Sequence, residues 1–220
     1  MSLKEAEEMI IKYIGHACFR VESDGYSIVM DPYEAGSIPG LAPLDETANM
    51  VIASHDHFDH AALGEVRIEE NDRCPYTISS IETYHDECHG AKRGGNRITI
   101  LDDGKHRVAH FGDLGCDASK ELSSDELSMI TDLDAAIIPI GGMYTIDAAG
   151  ALSLMKAIRP KHVIPMHFRD PEGRYGLDDL ATFESFTSLL DDYVMTESSV
   201  YDTDSEHVSV VNVLVPGNIR

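Results

Sequence analysis

Short runs of β-branched and aromatic residues dominate the first half of the chain, with turn signals between them. Two of these signals are Ser23-Asp24-Gly25 and Asp102-Asp103-Gly104. Runs of this length between such turns are typical of strands and hairpins. The predicted strands are residues 9–14, 19–21, 27–30, 50–53, 76–84, 97–101 and 107–111. The pattern therefore predicts a mainly antiparallel sheet in this half.

After Gly115 the pattern becomes partly helical. A helix is predicted near residues 124–131, and an apolar run follows at 135–140. A second helix is predicted to open at the N-cap Asp147 and to end before Pro160. Its apolar positions at helical spacing are Ala148, Ala151, Leu152, Met155 and Ile158. A strand at 162–166, a helix at 177–190 and a last strand at 207–215 complete the prediction.

The length and composition indicate a single domain. The chain has 220 residues, of which 43% are hydrophobic, enough for one substantial core but not for two domains and a linker. Neither a low-complexity linker nor a repeat interrupts it. We therefore predict one domain that spans residues 1–220.

The charge balance restricts the classes of partner. The chain carries 39 acidic and 17 basic residues, a formal net charge of -22, so its surface repels polyanions and we expect no nucleic-acid partner. Its first residues lack the basic start and apolar stretch of a secretory signal, and no apolar run could span a membrane. The four scattered cysteines are typical of free thiols in a reducing compartment. These features predict a cytoplasmic protein without a membrane partner.

The chemistry is concentrated in one short segment. Val51-Ile52-Ala53 has the pattern of a buried strand and runs directly into His55-Asp56-His57-Phe58-Asp59-His60. Histidine and carboxylate are the natural ligands of divalent zinc, manganese and iron, and a loop can direct alternate side chains to two different ions. The spacing therefore predicts a metal site at the end of this strand.

One loop cannot fill two coordination shells, so further ligands must come from other strand ends. His85 follows the predicted strand 76–84, Asp113 follows 107–111, and His167 follows 162–166. Strand ends are where scaffolds commonly place functional groups. We expect these three side chains to complete the site.

Several short motifs of the chain resemble those of a known family. The chain is similar to the metallo-β-lactamase superfamily, in particular to the branch of L-ascorbate-6-phosphate lactonase. The matching motifs are Gly15-His16-Ala17, Met30-Asp31-Pro32, the run from His55 to His60, His85-Asp86 with Gly90 and Arg93-Gly94, Gly112-Asp113, and Ile164-Pro165-Met166-His167. The resemblance implies an α/β (α+β) fold, a four-layer αββα sandwich with the site at one edge.

The resemblance also implies a ligand set. His55, His57 and His85 would bind the first ion, Asp59, His60 and His167 the second, and Asp113 would bridge the two. The ions would be zinc in the first instance, with manganese or iron as alternatives. Together they would lower the pKa of a shared water, and the resulting hydroxide would attack while Asp59 orients it.

Several residues around the predicted centre leave alternatives open. His89 could replace His85 as a ligand, although His85 directly ends its strand. His16 and Asp31 are candidates for a role beside the ligands or in the pocket, against a role in stabilising turns. Arg93 could bind a substrate carboxylate or phosphate, against the alternative of a solvated loop, and Tyr144 could shape the pocket.

The sequence thus predicts a metal-dependent hydrolase that acts on a small ester-like bond. A lactone and a phosphodiester are the two candidate classes, and the resemblance favours the lactone slightly. The expected partner is a small molecule, which can be anionic, and a homo-oligomer is compatible with the sequence. The alternative from another class is a non-catalytic metal-binding or regulatory protein that retains the site.

Overall fold

Two five-stranded β-sheets form the centre of the molecule, seen in a computed structural model that describes residues 8–204, 206 and 209–220. The strands are β1 (Ile10–Gly15), β2 (Cys18–Ser23), β3 (Tyr26–Met30), β4 (Glu46–Ala48), β5 (Met50–Ile52), β6 (Val66–Ile68), β7 (Thr77–Tyr84), β8 (Gly95–Asp102), β9 (Arg107–His110), β10 (Ala135–Pro139), β11 (His162–Met166), β12 (Val194–Met195), β13 (Val200–Asp202) and β14 (Asn212–Val213). The helices are α1 (Ala118–Glu121), α2 (Ser124–Met129), α3 (Ala148–Ile158) and α4 (Glu184–Thr187), with a 3₁₀ turn at Leu63–Glu65.

The first sheet has the strand order β13-β1-β2-β3-β5. Strands β1, β2 and β3 form antiparallel hairpins, whereas β3 and β5 run parallel, with Met30 paired to Ile52. Parallel strands end at the same edge of a sheet. Asp31, which follows β3, therefore lies beside the segment that leads from β5 into the histidine-rich loop.

The second sheet has the order β11-β10-β9-β8-β7. Strands β9, β10 and β11 are parallel, and β8 is antiparallel to both β7 and β9. Strands β7, β9, β10 and β11 consequently point the same way, and their carboxyl ends share one edge. The residues that follow β7, β9 and β11 are the segments that carry His85, Asp113 and His167.

The two sheets pack face to face over a common core. The rings of Tyr13 and Phe19 stack at 4.7 Å between centroids, and Phe19 also meets the ring of His110 from the second sheet edge-on at 5.8 Å. His110 Nε2 donates to the carbonyl of Ala17 at 2.9 Å, and this buried hydrogen bond connects the two sheets. The predicted mixed α/β sandwich is confirmed.

Helix α3 is the longest helix in the described part of the chain. Asp147 caps it by accepting from the Gly150 amide at 2.8 Å, and Arg159 ends it in the left-handed conformation directly before Pro160. Ala151, Leu154 and Ile158 form its buried face. Within the described residues, no helix is long and apolar enough to cross a bilayer.

The early strands pair mainly antiparallel, as predicted, with β5 as the parallel exception, but they divide between two sheets instead of forming one. Two further predictions about secondary structure are wrong. The predicted helix at 177–190 contains only Glu184–Thr187 as α-helix. Its first part is held instead by tertiary backbone bonds, from Arg169 N to Ala181 O and from Ala181 N to Gly141 O, both at 3.0 Å.

The predicted last strand at 207–215 is reduced to Asn212–Val213, and residues 207 and 208 lie outside the described residues. The side-chain amide of Asn212 donates to the carbonyls of Ser209 at 3.1 Å and Val210 at 3.4 Å. Such local bonds offer the backbone an alternative to a ladder. The preceding residues therefore form a bend, and pairing begins only at Val211 and Asn212.

Candidate metal centre

The shared edge of the two sheets brings all seven predicted ligands together. The loop after β5 contributes His55, His57, Asp59 and His60, and the ends of β7, β9 and β11 contribute His85, Asp113 and His167. They fall into two groups, and one carboxylate lies between the groups.

The first group consists of His55, His57 and His85, whose ligand atoms all lie within 4.8 Å of one another. His85 is oriented by Tyr144, since its Nδ1 lies 2.9 Å from the Tyr144 carbonyl oxygen. A carbonyl can only accept, so Nδ1 carries the hydrogen and Nε2 presents a lone pair to the centre. His55 Nδ1 lies 2.9 Å from Ser54 Oγ, which orients that ring as well.

The second group consists of His16, Asp59, His60 and His167, again within 4.8 Å of one another. Asp59 Oδ2 lies 3.3 Å from His16 Nε2 and 3.6 Å from His60 Nε2. His16 was predicted only as a pocket residue or a turn residue. The structure places its ring at ligand distance, 4.3 Å from the ring of His167 between centroids.

Asp113 connects the two groups. Its Oδ2 lies 3.1 Å from His85 Nε2 and 4.0 Å from His55 Nε2 on one side. On the other side the same oxygen lies 3.2 Å from His60 Nε2 and 3.3 Å from His167 Nε2. A single carboxylate oxygen thus contacts imidazoles of both groups, which is the geometry of a bridging ligand.

Asn96 holds the Asp113 loop in place, and no sequence signal identified it. Its Oδ1 accepts from the Asp113 amide at 2.8 Å, and its Nδ2 donates to Thr83 Oγ1 at 2.8 Å and to the Phe111 carbonyl at 3.0 Å. Gly112 has φ +54°, and a Cβ there would stand 2.3 Å from Asn96 Oδ1. A side chain at position 112 would collide with Asn96, so only glycine fits there.

Asp31 is buried behind the centre. It contacts His60 of the second group directly and is linked to His55 of the first group by Ser54. Its Oδ2 accepts from His60 Nδ1 at 2.9 Å and from Ser54 Oγ at 2.6 Å, and its Oδ1 accepts from the Ser54 amide at 2.7 Å. Ser54 Oγ in turn contacts His55. The carboxylate of Asp31 touches the His60 ring directly. This contact favours the predicted role beside the ligands over a role that is limited to stabilising a turn.

The electrostatics keep carboxylates ionised and some imidazoles neutral. Burial lowers the pKa of His55 to about 3 and that of His16 to about 4. For Asp113 burial acts against ionisation, but His167 and His60 outweigh it and hold its pKa well below the usual range. Burial also disfavours charge on His60, yet the Asp113 carboxylate raises its pKa well above normal.

The donor set fits divalent metal ions. Among residues 8–204, 206 and 209–220, Nε2 of His55, Nε2 of His60 and Oδ1 of Asp113 are buried without a hydrogen-bond partner. Buried polar atoms are normally satisfied, so convergent unsatisfied ones call for a missing partner. Imidazole nitrogen and carboxylate oxygen suit zinc, manganese and iron.

A cavity of about 280 Å³ opens over the two groups. Asp59, Arg93 and Tyr144 line it together with apolar side chains such as Leu177. The Arg93 guanidinium lies over the Tyr144 ring, 3.2 Å from its centroid. Of the three residues that were predicted for the substrate pocket, Arg93 and Tyr144 therefore line this cavity, whereas His16 lies within the second group.

His89 lies apart from the centre. Its side chain is 63% exposed, its Nδ1 is 3.4 Å from Glu121 Oε2, and its ring meets Tyr84 edge-on at 5.2 Å. His85 by contrast is buried within the first group. The geometry thus separates the two histidines that the sequence left as alternatives.

The sequence is similar to a known family and to curated metal-dependent hydrolases. The family model described as "Beta-lactamase superfamily domain" matches residues 10–167. A "UPF0173 metal-dependent hydrolase" of Pyrobaculum neutrophilum is 27% identical over 205 aligned residues, which include 74% of this chain and 89% of the relative. A protein of the same name from Hyperthermus butylicus is 29% identical over 195 aligned residues, with 72% and 82% covered.

Solved structures give the same likeness. A candidate Zn-dependent hydrolase of the metallo-β-lactamase superfamily from Thermotoga maritima has a TM-score of 0.65 at 25% identity, with 94% of this chain and 98% of that one covered. Igni18, a metallo hydrolase from Ignicoccus hospitalis, has a TM-score of 0.51 at 22% identity, with 76% and 86% covered. The second likeness concerns the fold alone.

Proposed function

The chain belongs to the β-lactamase superfamily, and from this premise we propose that it is a metal-dependent hydrolase that cleaves a small ester-like bond at a two-metal centre. The observation that carries the proposal is the position of Asp113 Oδ2, within 3.1–4.0 Å of Nε2 of four histidines from two ligand groups. The names of the relatives support hydrolysis, and the buried unsatisfied atoms support metal binding.

The proposed ligands divide between the two groups. His55, His57 and His85 would hold the first ion, Asp59, His60 and His167 would hold the second, and Asp113, whose carboxylate lies between the groups, would serve both. His16 lies in the second group as well, where its Nε2 bonds to the Asp59 carboxylate. We assign it to positioning Asp59. Zinc is the first choice for both ions, with manganese and iron as alternatives that accept the same donors.

When bound, such ions supply Lewis acidity, which lowers the pKa of water so that hydroxide is available near pH 7. The chain provides the orientation. Burial disfavours the charge on Asp59, but the hydrogen bond from His16 outweighs it and keeps the pKa of Asp59 low, so the carboxylate is ionised and can accept a hydrogen bond that orients the attacking hydroxide. Asp59 also lines the cavity in which a substrate would lie.

The overall reaction consumes one water. In a lactone the water oxygen bonds to the acyl carbon, the ring carbon–oxygen bond breaks, the leaving alkoxide takes a proton, and the new acid releases one. In a phosphodiester the attack is at phosphorus and an alcohol leaves. The resemblance to L-ascorbate-6-phosphate lactonase places lactones ahead of phosphodiesters. The expected partner is a small molecule, because a net charge of -22 disfavours a polyanionic one.

The proposal is tested by reconstitution and a substrate panel. Protein stripped with a chelator is reloaded with zinc, manganese or iron, and bound metal is measured by elemental analysis. We expect close to two equivalents per chain and turnover of at least one member of a panel of lactones, phosphodiesters, thioesters and β-lactams. Less than one equivalent under metal-replete conditions would refute the two-metal centre. Two equivalents without turnover of any class would instead favour a non-catalytic metal-binding or regulatory protein.

A further inference from the structure

The described residues that line the cavity over the metal centre include one arginine, Arg93, and no lysine. Two exposed carboxylates, Asp178 and Asp179, line the same cavity. In a chain with 39 acidic and 17 basic residues, basic groups are scarce. Whether a carboxylate of the chain neutralises this arginine therefore indicates which charge a ligand in the cavity would carry.

Arg93 has no carboxylate partner within the part of the chain that the structure describes. Its neighbour Lys92 is a useful contrast, since its ammonium pairs with Glu87 at the solvent side of the same loop. The Arg93 guanidinium carbon lies 3.2 Å from the centroid of the Tyr144 ring, and within the described residues none of the guanidinium N–H groups donates to a hydrogen-bond acceptor. A half-buried guanidinium with free donors in a cavity is suited to a carboxylate or phosphate group, which it can bind through two parallel hydrogen bonds.

Two sets of contacts fix the position of Arg93 relative to the metal centre. Tyr144 carries the guanidinium on its ring while its carbonyl accepts from His85 Nδ1, so one residue connects the arginine to a proposed ligand. Asp86, next to His85, accepts from the amides of Lys92 at 2.9 Å and Arg93 at 2.7 Å. Further bonds from Cys88 and Gly90 close the loop around the same carboxylate.

The rest of the cavity limits the number and place of charges on a ligand. Asp178 and Asp179 repel a second anionic group on their side. Phe58 and Tyr144 expose 59% and 47% of their surfaces, and Leu177 lies beside them in the cavity wall. These apolar surfaces suit a carbon skeleton between the reacting bond and the anionic group.

We infer that the free guanidinium of Arg93 over Tyr144 is a subsite for one anionic group of the substrate, a carboxylate or phosphate that lies apart from the bond to be hydrolysed. The substrate class is thus a monoanionic ester or lactone with a short apolar skeleton. This inference rests on the proposed function, because it assumes that the bond is cleaved at the neighbouring metal centre.

The test uses matched ligands that differ only in charge. A γ-lactone with a side-chain carboxylate is compared with the carboxamide of the same lactone on the metal-loaded full chain. If another bond class of the panel is hydrolysed, the pair is built on that class. Binding of pentanoate and of the neutral pentanamide is measured in parallel by calorimetry, so that the subsite is probed even without turnover.

The variants are Arg93→Gln and the matched control Lys92→Gln, which removes the adjacent charge outside the cavity. We expect the wild type to prefer the carboxylate, and Arg93→Gln to lower that preference by about 10- to 100-fold, mainly through KM, as for the loss of a charge-assisted hydrogen bond. Lys92→Gln should leave the preference unchanged. The double variant Asp178→Asn with Asp179→Asn should raise affinity for the anionic member, because repulsion is removed.

The outcomes separate the two proposals. A wild type that hydrolyses nothing, yet binds pentanoate more tightly than pentanamide through Arg93, would contradict the proposed hydrolysis and support the subsite. Turnover with equal preference for both members, or an equal loss in Lys92→Gln and Arg93→Gln, would overturn the subsite and leave hydrolysis intact. Tighter binding of phosphonate than of carboxylate analogues would identify phosphate as the anion.

Discussion

We expect Asp31→Asn to weaken metal binding at the second group and to destabilise the fold. The substitution keeps the size of the side chain and removes its charge. In the native protein Oδ2 of Asp31 accepts from His60 Nδ1 at 2.9 Å and from Ser54 Oγ at 2.6 Å. An asparagine that keeps the bond from the Ser54 amide must place its NH₂ group at the position of Oδ2. The NH₂ group would then face two other donors, His60 Nδ1–H and the Ser54 hydroxyl.

The magnitude follows from these contacts. The Ser54 hydroxyl can rotate and accept, but the His60 ring can respond only by moving its hydrogen to Nε2, which then has no lone pair for a metal. Loss of one buried charge-assisted bond and rearrangement of another should cost about 2–4 kcal/mol of the free energy of unfolding. Replacement of a residue that orients a ligand typically lowers metal affinity about 10- to 100-fold.

The assay is chelator competition with ion-by-ion stoichiometry, combined with thermal unfolding of the metal-free protein. Ser54→Ala is the control, because it removes one hydroxyl and leaves the bond between Asp31 and His60. Its effect on the second ion should be smaller. If Asp31→Asn binds both ions with native affinity, the orienting role of Asp31 is refuted.

The effect on stability should also depend on pH. Burial acts against ionisation of Asp31, but His110, His60 and Ser54 outweigh it and hold its pKa below the usual 3.8. A carboxyl whose pKa is lower in the folded state stabilises the fold above the unfolded pKa, and this contribution is lost as the pH falls through the folded pKa. The difference in stability between wild type and Asp31→Asn should therefore be largest near neutral pH and shrink below about pH 4.

Three further predictions follow. Asp59→Asn should lower turnover by at least about 100-fold with little change in melting temperature; steady-state kinetics with metal analysis checks this, and near-native turnover with both ions bound would remove Asp59 from the mechanism. His85→Ala should lose an ion and most activity, whereas His89→Ala should cost little, and the reverse pattern would reassign the ligand. Because the net charge is -22, raising salt from 0.1 M to 1 M, which shortens the Debye length from about 10 Å to about 3 Å, should raise the melting temperature in calorimetry; a salt-independent value would contradict this.

The residues that converge at the candidate centre could be predicted from the sequence because each one is local to a strand end. The run from His55 to His60 is contiguous, and His85, Asp113 and His167 each stand just after an apolar run. Parallel strand direction then brings these ends to one edge. No long-range pairing had to be known in order to nominate them.

The residues that position the ligands could not be predicted in this way. Asn96 acts on Asp113 from the start of a neighbouring strand, and nothing in its own sequence context marks it. The segment after Leu177 had a helical pattern, but backbone bonds to Gly141 and Arg169 determine its conformation. Both cases depend on partners that are distant in sequence, where local propensity is a weak guide.

The backbone at the centre shows why local rules fail there. His16, Asp31 and His167 have φ values of 58°, 48° and 52°, a left-handed conformation that costs a side-chain-bearing residue about 1–2 kcal/mol. Glycine would relieve this strain, but it would remove an imidazole or a carboxylate. His167 N–H donates to the His16 carbonyl at 3.0 Å, so one strained turn supports the other. The strain is thus concentrated where the required side chain and the preferred backbone disagree, at the groups that surround the proposed metal ions.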